Sequence, residues 1–486
     1  MEQKKSYDYK VPIVESLIFF FICSILVFAP IAYGTVDPWA LGIVAVLIFL
    51  ICMLWLFQSW KTKEFVFNDN SLQLPIIGLI LIGLIQLLPL RSIDLSNLIS
   101  TPAVRSLSLD PYATRLAIVL LIIYLIFFAT VLTFIQSEKR VRKIVFLIIS
   151  FGTFFGFIGV LQQLTDKQTI FGFRIVKDAI PFGTFVNRHH FAAFMVMLIG
   201  LALGLIYNWA TTKDKKLLLW IAVVLMGVAL AMTGSRGAWL SFLGSVIFLL
   251  VISSVTEGNI EQVKDISEEN RILEKSRLSK RLKIIISFLV LLFVIFATMI
   301  FLGKDEFLAR GIGLTPQEDI SGGRFHFWSI ALQIFRDHPI LGAGLDSYAT
   351  VFSHYDTWNG KFRVERSHND YLQILADAGL LGFSCIVAFI YLFFRQSIRS
   401  IKNLSAEFNQ RKSRDNFLLA VKIGALTGCV GIMIHSFFDF PLRTNSNSFY
   451  FLLLSALAVG FESFNSFQHE APVVKSRVGI DSEEVQ

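Results

Sequence analysis

The chain has 486 residues, 55% of them hydrophobic, and a mean hydropathy of +0.64. Soluble globular proteins hold roughly 45–50% apolar residues, so this composition excludes a soluble domain and points to a membrane protein. The formal net charge of +8 falls largely between apolar runs, as topology requires, and argues for no nucleic-acid partner.

A membrane span needs roughly 20 mostly apolar residues. About twelve windows qualify: 13–33, 38–57, 72–90, 115–135, 144–164, 190–210, 217–233, 237–254, 284–303, 371–394, 416–436 and 447–465. The expected fold class is therefore an all-α polytopic membrane protein. Its first window follows a basic start (Lys4, Lys5, Lys10), but the apolar run is too long for a signal peptide and no A-x-A site follows it. It reads as a retained helix.

Basic clusters at 61–63, 138–143, 213–216, 264–283 and 395–414 fall on one side if the N-terminus is inside, which places both termini in the cytoplasm. The expected organisation is nine spans over 1–303 with a cytoplasmic loop at 255–283. A large periplasmic loop follows at 304–370, then three spans over 371–465 and a cytoplasmic tail at 466–486. The four cysteines (Cys23, Cys52, Cys385, Cys429) fall inside spans without a C-x-x-C pair, so neither disulfide nor zinc is implied.

Along the expected outer side, "VNRHHFAAF" caps the sixth span with Asn187, Arg188, His189 and His190. Adjacent histidines point apart on a helix, so a shared metal is not expected, and plain polar capping is the competing reading. "MTGSRGAW" sets Arg236 in a tight hairpin between spans. There a charge is costly unless it has a partner or snorkels to the headgroups. In the large loop, "SGGRFHFWSIALQIFRDHP" spaces Phe327, Ile330, Ala331, Ile334 and Phe335 as an amphipathic helix stopped by Pro339. It is expected to lie on the membrane surface, with Arg324 in its first turn. The following G-A-G is too weak to be a nucleotide loop.

"RSHNDYLQILADAGLLG" puts Arg366, His368 and Asn369 at the mouth of the tenth span. With no outer H-E-x-x-H, D-x-D or paired carboxylates, no metal or cofactor is implied, and His368 is the best available general base. Remaining candidates for that role are His189, Glu365 and Asp439. In "HSFFDFPLR", His435 and Asp439 stand at i and i+4 and read as a hydrogen-bonded structural pair. The expected outer segments hold twelve arginines against four lysines (Lys167, Lys177, Lys304, Lys361). Guanidinium groups fork onto phosphate oxygens, so a phosphorylated ligand fits this bias. Simple avoidance of lysine outside also explains it.

Taken in order, "GSRG", "SGGRFHFW", "HPILGAGLDSY" and "SHNDYLQILADAGLLG" resemble the O-antigen ligase and O-antigen polymerase family of bacterial membrane glycosyltransferases, most clearly over about 180–395. The resemblance implies a GT-C-like fold in the inner membrane, acting at the periplasmic face. The donor would be an undecaprenyl-pyrophosphate-linked glycan, moved to an acceptor hydroxyl without a metal. The acceptor would be lipid A-core for a ligase or a growing glycan for a polymerase; protein-glycosylating members leave a third option. Carried over motif by motif, it gives Arg236 and Arg324 to the donor pyrophosphate and His368 to the base. Asn187, Arg188, His189, Arg366, Asn369, His435 and Asp439 would support them. A 12-span transporter or flippase is the rival from another class, though no internal repeat is found.

Overall fold

The computed structural model describes residues 12–91, 105–165, 169–258 except 173, 177–178 and 210, scattered residues between 282 and 293, and 323–460 except 359–363 and 412–415. Its elements, in chain order, are α1 (Pro12–Ile31), α2 (Pro38–Thr62), α3 (Gln73–Gln86), α4 (Pro111–Phe134), α5 (Glu138–Leu164), α6 (Arg188–Asn208), α7 (Lys213–Met232) and α8 (Arg236–Gly258). They continue as α9 (Arg324–Asp337), α10 (Tyr348–Tyr355), α11 (Asp370–Arg411), α12 (Phe417–His435) and α13 (Asn445–Val459). One two-stranded antiparallel hairpin, Thr169–Ile170 with Arg174–Ile175, interrupts the helices. The protein is an all-α polytopic membrane protein.

Among the described residues nine helices are long and apolar enough to cross a membrane, against the twelve windows of the sequence. The window 284–303 lies largely outside the described residues. The windows 72–90 and 447–465 become helices of 14 and 15 residues. Their polar ends turn inward and are consumed by the protein. Gln86 ends α3 fully buried, its amide donating to the Leu341 carbonyl at 2.5 Å and the Asp377 carbonyl at 2.9 Å. Asn445 and Asn447 open α13 buried, donating to the Thr35 and His190 carbonyls.

Local sequence sets the helix starts at this end of the bundle. Asp110 accepts from the Ala113 amide at 3.0 Å ahead of Pro111, and Asn187 accepts from the His189 amide at 2.8 Å. Each satisfies a backbone donor that the first helical turn leaves open.

At the centre lie α6 and α12, each 94% buried over its apolar window. Gly200 faces Gly428 and Gly204 faces Gly424 so closely that a Cβ on either glycine of a pair would strike the opposite backbone. Small residues four apart allow this backbone approach between helices in lipid. The pairs run in opposite chain directions, so the crossing brings the start of α6 and the end of α12 to the same end of the bundle.

The amphipathic helix expected on the membrane surface is α9, and its placement is a correction. Ile330, Ala331 and Ile334 are buried against Tyr348, Val351 and Phe352 of α10 and Ala376 of α11, a small core of their own. The apolar face is thus covered by protein rather than lipid.

The segment after α9 docks into a break in α11. Gly379 has φ +63°, which interrupts the helical hydrogen bonding, and the chain at 339–344 takes up the groups left over. Leu380 N donates to Pro339 O at 2.8 Å, Ala343 N to Ala376 O at 2.9 Å and Gly344 N to Asp377 O at 3.0 Å. A Cβ on Gly342 would strike the Asp377–Ala378 backbone, and Gly342 and Gly344 both have positive φ. The G-A-G of the sequence therefore serves close backbone approach.

Candidate functional site

Three elements converge at the end of the bundle where α6 begins and α12 finishes. From the segment before α11 comes His368, from the turn after α12 comes Asp439, and from the first turn of α9 comes Arg324. His368 Nδ1 lies 3.1 Å from Asp439 Oδ1, and Arg324 Nη2 lies 3.7 Å from Asp439 Oδ2. His189, at the start of α6, approaches Oδ2 at 3.9 Å and bonds Ser235 Oγ at 2.9 Å.

The carboxylate is 1% exposed, while the His368 and Arg324 side chains are 29% and 27% exposed. A buried anion thus sits beneath a partly open imidazole and guanidinium. Burial pushes the Asp439 carboxyl up, but the His368 hydrogen bond, with the neighbouring histidines, outweighs it and holds the group well below the usual carboxylate range. It remains an anion at neutral pH.

His368 takes up the left-handed backbone region, φ +54°. This conformation costs a side-chain-bearing residue on the order of 1–3 kcal/mol and needs support from its surroundings. Support comes from both neighbours. Ser367 N donates to Gln373 Oε1 at 2.8 Å, and Ser367 Oγ donates to the Asn369 carbonyl at 2.9 Å. The Asn369 amide reaches the Phe437 carbonyl at 3.1 Å while its oxygen caps α11. Asp370 N donates to Ser436 O at 2.9 Å. These bonds tie the His368 segment to the turn that carries Asp439. Rings complete the setting: Phe440 meets His368 edge-on at 4.8 Å and His190 at 4.7 Å, and Phe327 lies 5.9 Å from His368.

The expected side-chain hydrogen bond between His435 and Asp439 is corrected: the two are joined through the backbone alone, Asp439 N donating to the His435 carbonyl at 3.1 Å. Asp439 turns away at the end of α12 and bonds His368, and both ring nitrogens of buried His435 lack a hydrogen-bond partner among the described residues. His190 bonds Thr444 Oγ1 through Nδ1 at 2.6 Å. Arg188 reaches the α7–α8 turn, close enough that a Cβ on Gly234 would lie 3.6 Å from its Nη1. Arg236 opens α8 on an exposed position, and Gly237 beside it packs on Phe438 and His435.

Arg366 pairs with Asp346. That pair belongs to a network absent from the sequence reading. Arg443 Nη1 contacts Asp346 Oδ1 at 2.8 Å, and its Nη2 contacts buried Asp377 Oδ2 at 3.2 Å. Burial pushes the Asp346 carboxyl up, but Arg443 and then Arg366 overcome this and hold it below the usual range. The available signal was the seven-residue spacing of Asp370 and Asp377, which sets two acids on one helix face. Among the described residues no group of three or more His, Cys, Asp or Glu side chains is arranged to hold a metal ion.

A carboxylate that accepts from Nδ1 leaves Nε2 of His368 with its lone pair. Such an imidazole can take a proton from a hydroxyl, and a guanidinium beside it can hold an anion. This is a polytopic membrane protein that gathers His368, Asp439 and Arg324 at one end of its bundle. Residues 221–387 match the family model described as O-antigen ligase, and over that stretch the chain is similar to that family. No curated protein matches the chain. The matched stretch includes Arg236, Arg324 and His368, whereas His189, His435 and Asp439 lie outside it.

Proposed function

We propose that the protein transfers a glycan from undecaprenyl pyrophosphate to an acceptor hydroxyl at the periplasmic face of the inner membrane, with O-antigen ligation to lipid A-core as the reaction. The observation that carries this reading is the hydrogen bond from His368 to buried Asp439 beside Arg324. In this reaction His368 Nε2 takes the acceptor proton as the hydroxyl oxygen bonds to the anomeric carbon. The bond from that carbon to the pyrophosphate oxygen breaks, and the electron pair leaves with the pyrophosphate. Asp439 stabilises the imidazolium that forms, as the carboxylate of a nucleophile–base–acid array does. Arg324 and Arg236 neutralise the leaving pyrophosphate, a task otherwise suited to a divalent cation.

The test is transfer by the purified full-length protein from a lipid-pyrophosphate glycan, with and without excess EDTA. Wild type should turn over in chelator. His368→Gln can orient a hydroxyl but cannot take its proton, and should fall by about 10²–10⁴-fold. Near-wild-type turnover by the glutamine variant, or complete loss in EDTA restored by a cation, would overturn the mechanism. A deletion strain separates ligase from polymerase: loss of the whole lipopolysaccharide ladder marks the ligase, and a single repeat left on the core marks the polymerase.

A further inference from the structure

Beside Arg324 the protein builds a rigid aromatic surface that the base and the pyrophosphate do not use. Trp358 stacks on His326 with ring centroids 4.2 Å apart and planes 5° from parallel. Asp356 locks the pair from below, its Oδ1 accepting from His326 Nε2 at 2.9 Å and from the Trp358 amide at 3.0 Å. Gly323, immediately before Arg324, makes the room. A Cβ there would lie 2.9 Å from the Phe327 ring and 3.3 Å from Trp358 Cη2. Trp358 nevertheless keeps 45% of its surface exposed. Phe327 bridges to the site, its ring 6.0 Å from Trp358 and 5.9 Å from His368.

An exposed indole held so firmly suits a ligand with one apolar face and polar edges. A pyranose ring has that form: its axial C–H groups make a flat apolar face, and its hydroxyls project sideways. A bilayer anchor also uses tryptophan, but it needs no second ring beneath it and no carboxylate fixing both. The position next to Arg324 selects which sugar. We infer that Trp358, backed by His326, is a stacking platform for the sugar ring attached to the donor's pyrophosphate. This rests on the donor assignment made above.

The experiment compares two probes, a short-chain polyprenyl pyrophosphate and the same lipid carrying one hexose, binding to the full-length protein in nanodiscs. In the wild type the hexose should strengthen binding by about five- to tenfold, the worth of one aromatic stack. Trp358→Ala should abolish that gain while binding the sugar-free lipid as before, and Trp358→Phe should keep most of it. An unchanged gain in Trp358→Ala overturns the inference and leaves the donor assignment standing. Equal weakening of both probes overturns it as well, marking Trp358 as a membrane or lipid anchor. Failure of wild-type protein to bind either probe overturns the donor assignment and this inference with it.

Discussion

Replacing Asp439 by asparagine is the most direct test of how the site works. The amide keeps the size of the side chain and removes the charge that faces His368 at 3.1 Å and Arg324 at 3.7 Å. Its NH₂ can also donate to Nδ1, which would move the imidazole proton to Nε2, where the acceptor hydroxyl must deliver its own. Loss of both charge and tautomer control should lower kcat by about 10²–10⁴-fold, or about 3–5.5 kcal/mol of transition-state stabilisation. The donor KM should change little, because the guanidinium groups remain. The assay is steady-state transfer at saturating donor and acceptor, with folding checked by size exclusion and thermal melting. A folded Asp439→Asn protein with kcat within threefold of wild type would refute the orienting role.

Arg236→Lys and Arg324→Lys should each lose about tenfold or more of turnover although charge is kept, because a lysine cannot fork onto two phosphate oxygens; near-normal kinetics at saturating donor would count against that geometry. Asp346 has a lowered carboxyl in the folded protein, so its stabilising effect is complete above the unfolded value of about 3.9 and is lost as pH falls through the lower folded value. Asp346→Asn should therefore melt below wild type by a constant interval from about pH 5 to 8, and the interval should shrink below about pH 4; a gap that widens in acid would contradict the ion pairing. Gly424→Ala pushes a methyl into the α6 backbone and should cost about 1–3 kcal/mol of stability, visible as a lower melting temperature in detergent; an unchanged melt would mean that the two helices can separate freely.

Hydropathy made the long helices legible, since a span is a local property of some twenty consecutive residues. The motif residues Arg236, Arg324 and His368 were also visible as short strings. What stayed hidden depends on contacts distant in sequence. Asp439 is 71 residues from His368, and the i,i+4 spacing to His435 suggested the wrong partner because periodicity assumes that the helix continues. It ends at His435. The α9 face looked like a membrane-surface stripe because an apolar stripe does not say whether lipid or protein covers it. The glycines of G-A-G pointed to a loop, but their purpose appears only beside the break at Gly379. The charge network around Arg443 joins Asp370 and Asp377 of α11 to Asp346, and the seven-residue spacing of the first two gives no hint of the other members.

The shortness of α13 shows what holds it in place. Fifteen helical residues rise about 22 Å, well short of a hydrocarbon core about 30 Å thick. At one end Ser400 Oγ bonds the Gly460 carbonyl, and at the other Thr444, Asn445 and Asn447 are buried. All fifteen residues of α13 are buried, so a helix too short to cross the hydrocarbon unaided is held by its protein neighbours rather than by lipid.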